Sequence, residues 1–137
     1  MKSLDKKPHI VIAMGNCRLK RNIVENLKGD FKFATIVHPT VKISKYVNVG
    51  HGTIIYESVV LTVNTTIGNH VIISGNCGIG HDSVIGDYSS ILWGARLCGY
   101  DALGQEVFLG VGVKIIQGIQ INDGIKIDAG VTITRDL

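Results

Sequence analysis

The sequence predicts a mainly β fold in which very short parallel strands wind into a three-sided prism, preceded by a partial β-α-β unit. Hydrophobic residues recur every six positions from Val37 to Ile133, and glycines recur every eighteen. Aromatics make up only 6% of a chain that is 45% hydrophobic. Plentiful Ile, Val and Leu with few large rings imply a thin, regular core, and 137 residues amount to one domain.

The first element is a strand over His9–Met14, closed by Gly15-Asn16 as turn and cap. Residues 17–28 then place Leu19, Ile23, Val24 and Leu27 on one helical face, and Gly29 stops the helix. Phe33–Val37 gives a second strand, entering the prism at His38-Pro39. Two strands and a helix leave sheet edges bare, so residues 1–36 are expected to be part of a domain and residues 37–137 the prism.

The prism rests on the hexads. Stepping by six from Val37 meets Ile43, Val49, Ile55, Leu61, Ile67, Ile73, Ile79, Ile85, Ile91, Leu97, Leu103, Leu109, Ile115, Ile121, Ile127 and Ile133. Four residues after each lies a second column of mostly small or β-branched residues, from Val41 to Val131, with Asp101 the exception. A period of six fits neither 3.6 nor 7, so a helix cannot hold this pattern, whereas short strands bent at regular corners can. Gly50, Gly68, Gly86 and Gly104 fall 18 apart, as do Gly94, Gly112 and Gly130, which makes three hexads one coil. Glycine belongs at a corner that needs positive φ, or where something must approach the backbone closely.

Composition excludes several classes. Residues 1–36 carry eight Lys/Arg and three Asp/Glu, a net of +5, and residues 37–137 carry six and eight, a net of −2. The basic residues are not interleaved with aromatics and match no nucleic-acid motif, so a solvated face is the better account. No apolar run approaches a membrane span and the start shows no signal-peptide cleavage pattern, which makes a cytoplasmic location the expectation. Cys17, Cys77 and Cys98 form no CxxC pair and read as reduced, buried thiols.

The [LIV]-[G]-x-x-[small]-x units resemble the hexapeptide repeats of left-handed parallel β-helix proteins. The segments HIVIAMGNCRLKRNIVENL, FKFATIVHPTVKIS, GHDSVIGDYSSI and GVGVKIIQGIQINDGIKIDAGVTITRD together resemble the sugar O-/N-acyltransferases over roughly residues 8–137. That family includes sialic acid O-acetyltransferases and enzymes that N-acetylate nucleotide-linked 4-amino sugars such as UDP-4-amino sugars. The resemblance implies acetyl-CoA as co-substrate, a sugar or nucleotide-sugar acceptor, and a homotrimer with active sites between neighbours. It also implies that residues 1–36 are a Rossmann-like remnant starting after the glycine-rich loop that holds the nucleotide sugar.

Acetyl transfer from a thioester needs a base for the acceptor's proton and a donor for the oxyanion. The resemblance assigns the base to His81, in the turn of GIGHDSVIGD, and an orienting role to Asp82. Gly99 is 18 residues after His81, one level above it at the same corner, and the resemblance gives its amide the thioester oxygen. Gly112, Ala129 and Gly130 lie in the coils that receive the pantetheine arm, and Arg135 could meet a CoA phosphate. Ser74 and Ser90, candidate acceptor-site positions, stand where family members often have Asn and His.

Successive histidines are 29, 13, 19 and 11 apart, unlike the His-x4-His pair typical of a zinc-binding carbonic anhydrase class that shares this prism, and no metal is expected. His9 and His38 read as structural, and His51 and His70 as occupants of neighbouring corners. Trp93, Tyr100 and Phe108 are too large for the interior and are expected outside it, at subunit contacts or the cofactor cleft. The competing expectation is a trimeric β-helix that has lost its acceptor domain and serves as a scaffold or partner subunit.

Overall fold

A computed structural model describes residues 8–27 and 29–137; the expectations for residues 1–7 and for residue 28 lie outside these. The fold is a parallel β-solenoid of three sides and about five turns. Strand β1 (His9–Ile10), helix α1 (Cys17–Leu27) and strand β2 (Lys32–Phe33) come first, and β1 pairs in parallel with β2. The expected His9–Met14 strand is thus only two residues long. The expected Phe33–Val37 strand divides, because Ile36–Val37 pairs instead with Ile54–Ile55 in the prism.

Each side of the prism is a stack of two-residue strands in 18-residue register. Asn48–Val49, Thr66–Ile67, Val84–Ile85, Ala102–Leu103 and Gln120–Ile121 form the first side. Ile36–Val37, Ile54–Ile55, Ile72–Ile73, Ser90–Ile91, Phe108–Leu109 and Lys126–Ile127 form the second. Val60–Leu61, Gly78–Ile79, Arg96–Leu97, Lys114–Ile115 and Thr132–Ile133 form the third. Alternation along each strand turns the second residue inward, so every hexad Ile or Leu from Ile55 to Ile133 is buried. Ile43 is the exception: residues 42–43 form no strand, a turn follows at Lys45-Tyr46, and its side chain is exposed.

The glycines divide by cause. Gly94, Gly112 and Gly130 take φ of 71°, 69° and 74° at the corner between the second and third sides. Gly50 and Gly86 answer close approach instead: an added Cβ would lie 2.5 Å from the Gly68 carbonyl oxygen and 2.4 Å from that of Gly104. The body that comes close is the next coil of the same chain.

Helix α1 lies against the second side. Asn16 Oδ1 accepts the Leu19 amide at 2.9 Å, an N-cap, and Gly29 follows at φ 93°. The buried face is Cys17, Lys20 and Val24, spaced i, i+3, i+7, whereas Leu19 is 46% exposed. The apolar face expected from sequence is therefore misplaced around Lys20, which is wholly buried. Its Nζ donates to the Ser89 carbonyl at 3.1 Å and to Ser90 Oγ at 3.0 Å. Those bonds let a lysine occupy the centre of the contact. Beyond it, Arg21 pairs with Glu106 and Tyr88 donates to Glu25 at 3.1 Å.

Candidate active site

His81 and Asp82 form the third corner, the vertex between the third and first sides. The corner bends because Asp82 takes φ 55°, a left-handed conformation that Asp tolerates better than bulky residues. His81 Nδ1 and Asp82 Oδ2 are 2.9 Å apart, and Asp82 Oδ1 accepts Asn64 Nδ2 at 3.0 Å from one coil below. The His81 hydrogen bond first, and the Asn64 bond second, hold the Asp82 carboxyl below its ordinary value. An ionised Asp82 fixes the proton of neutral His81 on Nδ1 and leaves Nε2 with its lone pair. The His81 side chain is 43% exposed. Tyr100 meets its ring edge-on at 5.0 Å between centroids.

Gly99 stands one coil above, as the 18-residue count requires, and an added Cβ there would lie 3.0 Å from His81 Nε2. Its amide, however, donates to Asp101 Oδ2 at 3.1 Å. The other expected cofactor positions separate into two groups. Gly112, Ala129 and Gly130 climb the corner between the second and third sides, where an added Cβ at either glycine would meet open space. Arg135 continues the His81–Gly99 column at the top of the third corner and is exposed.

Ser74 and Ser90 do not join His81 within the chain. Both are buried; Ser90 lies on the second side beneath α1, where it receives Lys20, and Ser74 ends a second-side strand. Trp93 and Tyr100 are exposed and Phe108 half-buried, all outside the interior. Cys17 and Cys77 are buried, but Cys98 is an exposed thiol, because the position before Gly99 points out of the corner. His51 and His70 share one corner in successive coils, with ring centroids 5.1 Å apart, rather than occupying neighbouring corners.

Sequence reasoning missed a cleft of about 690 Å³ between the start of α1 and the upper second side. Gly15, Asn16, Arg18, Glu106, Phe108 and Lys126 are among its lining residues. It pairs two cations and a helix N-terminus with an aromatic ring. The signal was present in the Gly15-Asn16 cap, but nothing in the order of the residues places that cap over Phe108 and Lys126.

The three-sided hexad prism sets the class of fold, and the chain's homologues are hexapeptide-repeat sugar acetyltransferases. No family model matches the chain. It is 29% identical over 112 residues to a GDP-perosamine N-acetyltransferase of Escherichia coli O157:H7, covering 81% of this chain and 51% of that enzyme. The chain thus spans about half the length of that curated relative. PerB of Caulobacter crescentus, solved in complex with CoA and GDP-perosamine, superposes with a TM-score of 0.92 at 27% identity, over 95% of this chain and 63% of that one. The acetyltransferase domain of PglB from Neisseria gonorrhoeae FA1090, in complex with acetyl coenzyme A, superposes with a TM-score of 0.84 at 26% identity, over 94% and 63%. Among the described residues no helix is long and apolar enough to cross a membrane.

Proposed function

We propose that the protein is an acetyl-CoA-dependent acetyltransferase acting on an amine of a nucleotide-linked amino sugar. The observation that carries this reading is the Asn64–Asp82–His81 relay, which leaves a half-exposed imidazole with its Nε2 beside a glycine. Nε2 takes the acceptor's proton as its amine attacks the thioester carbonyl, and Asp82 steadies the imidazolium that forms. The tetrahedral adduct then collapses, its C–S bond breaks, and the imidazolium returns its proton to the leaving CoA sulfur. The pantetheine arm follows the small residues Gly112, Ala129 and Gly130, and Arg135 meets a phosphate. The preference for an amine over a sialic acid hydroxyl rests on the relatives, which are named as N-acetyltransferases.

The acceptor's nucleotide lies in the cleft beside α1, where Arg18 and Lys126 supply positive charge and Phe108 a ring face. That cleft lies along the second side, opposite the third corner that carries His81. Base and acceptor cleft therefore meet only when two copies of the chain face one another, which supports a homotrimer. The exposed Val63, Val84, Tyr100 and Ile116 around the third corner suit such a contact.

Calorimetric titration of acetyl-CoA into the purified protein, with the oligomer measured alongside, is the first test. Saturation near one site per chain is expected, with CoA release on adding nucleotide-linked amino sugars. An intact trimer that binds no acetyl-CoA would refute the reading and leave a scaffold.

A further inference from the structure

Asp101 breaks the second hexad column, and the structure shows what the exception does. Its side chain turns into the prism and is 1% exposed. Four polar members of that column play the same part, each accepting the amide of the residue 18 later. Thr53 accepts Val71 at 3.1 Å, Ser83 accepts Asp101 at 3.3 Å, and Ser89 accepts Val107 at 3.1 Å. Asp101 Oδ1 likewise accepts Ile119 at 3.0 Å. A hydroxyl suffices for this ladder, as Thr53, Ser83 and Ser89 demonstrate. Only Asp101 brings a second oxygen, and Oδ2 accepts the Gly99 amide at 3.1 Å.

That second bond reaches the corner of His81. Gly99 supplies the main chain beside Nε2, and its amide is turned inward to a buried carboxylate. The next amide, of Tyr100, donates to the His81 carbonyl at 2.8 Å. Neither amide faces the space next to Nε2.

We infer that Asp101 is a positioning residue that withdraws the Gly99 amide from the space beside His81 Nε2, so that a thioester carbonyl bound there receives no hydrogen bond from it. This rests on the proposed function, with the acetyl-CoA thioester bound beside His81. An oxygen that gains no bond gives acetyl-CoA no advantage over CoA, and a missing oxyanion donor slows transfer by roughly 10²–10³-fold. Asp101→Ser keeps an acceptor for Ile119 and removes the one that holds Gly99, so it frees the Gly99 amide.

The test titrates CoA and acetyl-CoA separately into the wild-type protein and Asp101→Ser, and follows hydrogen exchange of the Gly99 and Ile119 amides by NMR without ligand. The wild type is expected to bind both within about twofold, and Asp101→Ser to favour acetyl-CoA by about fivefold, the worth of one neutral hydrogen bond. Gly99 exchange should quicken at least about tenfold in the variant while Ile119 stays protected, since about 1.4 kcal/mol is a factor of ten. A wild type that already favours acetyl-CoA about fivefold overturns the inference. So does an unchanged ratio in a folded Asp101→Ser, or Gly99 exchange as fast in the wild type as in the variant. If neither ligand binds the wild type, the function reading fails and its thioester consequence with it, while the exchange rates still decide whether Asp101 holds Gly99. Should Asp101→Ser fail to fold, Asp101→Asn serves, because a carboxamide offers one oxygen to two amides and must release one.

Discussion

His70 and His81 occupy different corners of the same prism, yet one is 2% exposed and the side chain of the other 43%. His70 is the second residue of its corner, at φ 56°, and its ring lies between those of Phe33, His51 and Tyr88. His81 is the first residue of its corner, so Asp82 follows it at the left-handed position and turns a carboxylate back to Nδ1. What covers a corner matters as much as what occupies it: Phe33 and Tyr88, the latter tied to α1 through Glu25, bury one imidazole. Among the described residues, no helix roofs the other. A repeat that makes identical corners thus yields one histidine packed among rings and one left half-exposed.

The largest expected effect separates these two. His81→Ala should lower acetyl transfer by roughly 10²–10⁴-fold with acetyl-CoA binding and melting temperature nearly unchanged. His70→Ala should do the reverse, costing about 2–4 kcal/mol of stability through the cavity left among three rings, with turnover per folded molecule retained. Denaturant melts and steady-state rates on both variants check the pair. Loss of turnover in folded His70→Ala would break the distinction.

Lys20 gives the next effect, about 3 kcal/mol spread over a pH window. Burial lowers its ammonium from the ordinary 10.5 to about 8. Below about pH 8 the amine is charged both folded and unfolded, and the fold bears the whole cost of burying it. Between about 8 and 10.5 the folded protein has released the proton and the unfolded chain has not, so stability rises with pH by about 3 kcal/mol in all. The contacts survive, since a neutral amine still donates to the Ser89 carbonyl and Ser90 Oγ. Urea melts from pH 7.5 to 10.5 should show the rise in the wild type and not in Lys20→Met. Parallel curves would place the lysine's proton outside the folding equilibrium.

The prism was legible because a period of six over seventeen hexads admits few geometries, and because 18-residue glycine spacing counts the coils. The stacking of Gly99 over His81 followed from the same count, since addresses 18 apart are neighbours, whereas the roles expected of His81, Asp82 and Gly99 came from the resemblance and not from the repeat. Outside the repeat this logic stops. Lys20 is hidden in the sequence because the apolar residues of α1 draw the face through Leu19, and no periodicity reports that a carbonyl and a serine hydroxyl, 69 and 70 residues later, await its ammonium. Asp101 was visible as an exception to its column, but its hold on Gly99 depends on which way a peptide plane is turned. Ile43 shows the opposite failure, a position that keeps the pattern where the first coil has no strand to receive it.

The smallest effect sharpens the comparison between the two corners. Asn64 sits one coil below Asp82 at φ 57° and gives its carboxylate a second donor, where the roofed corner relies on stacked rings. Asn64→Ala removes that donor and leaves the stronger one, the His81 bond, so the Asp82 carboxyl should rise part of the way toward its ordinary value. A carboxyl held low keeps its bond to His81 at all pH above that lowered value and loses it as pH falls through it. At neutral pH Asp82 is ionised with or without Asn64, so transfer should fall only about twofold, the scale of an exposed polar contact. The change belongs on the acid side, where NMR titration of the Asp82 carboxyl should show its midpoint moved up in Asn64→Ala. An unmoved midpoint would mean that His81 alone holds the carboxylate and that the relay has two members, not three.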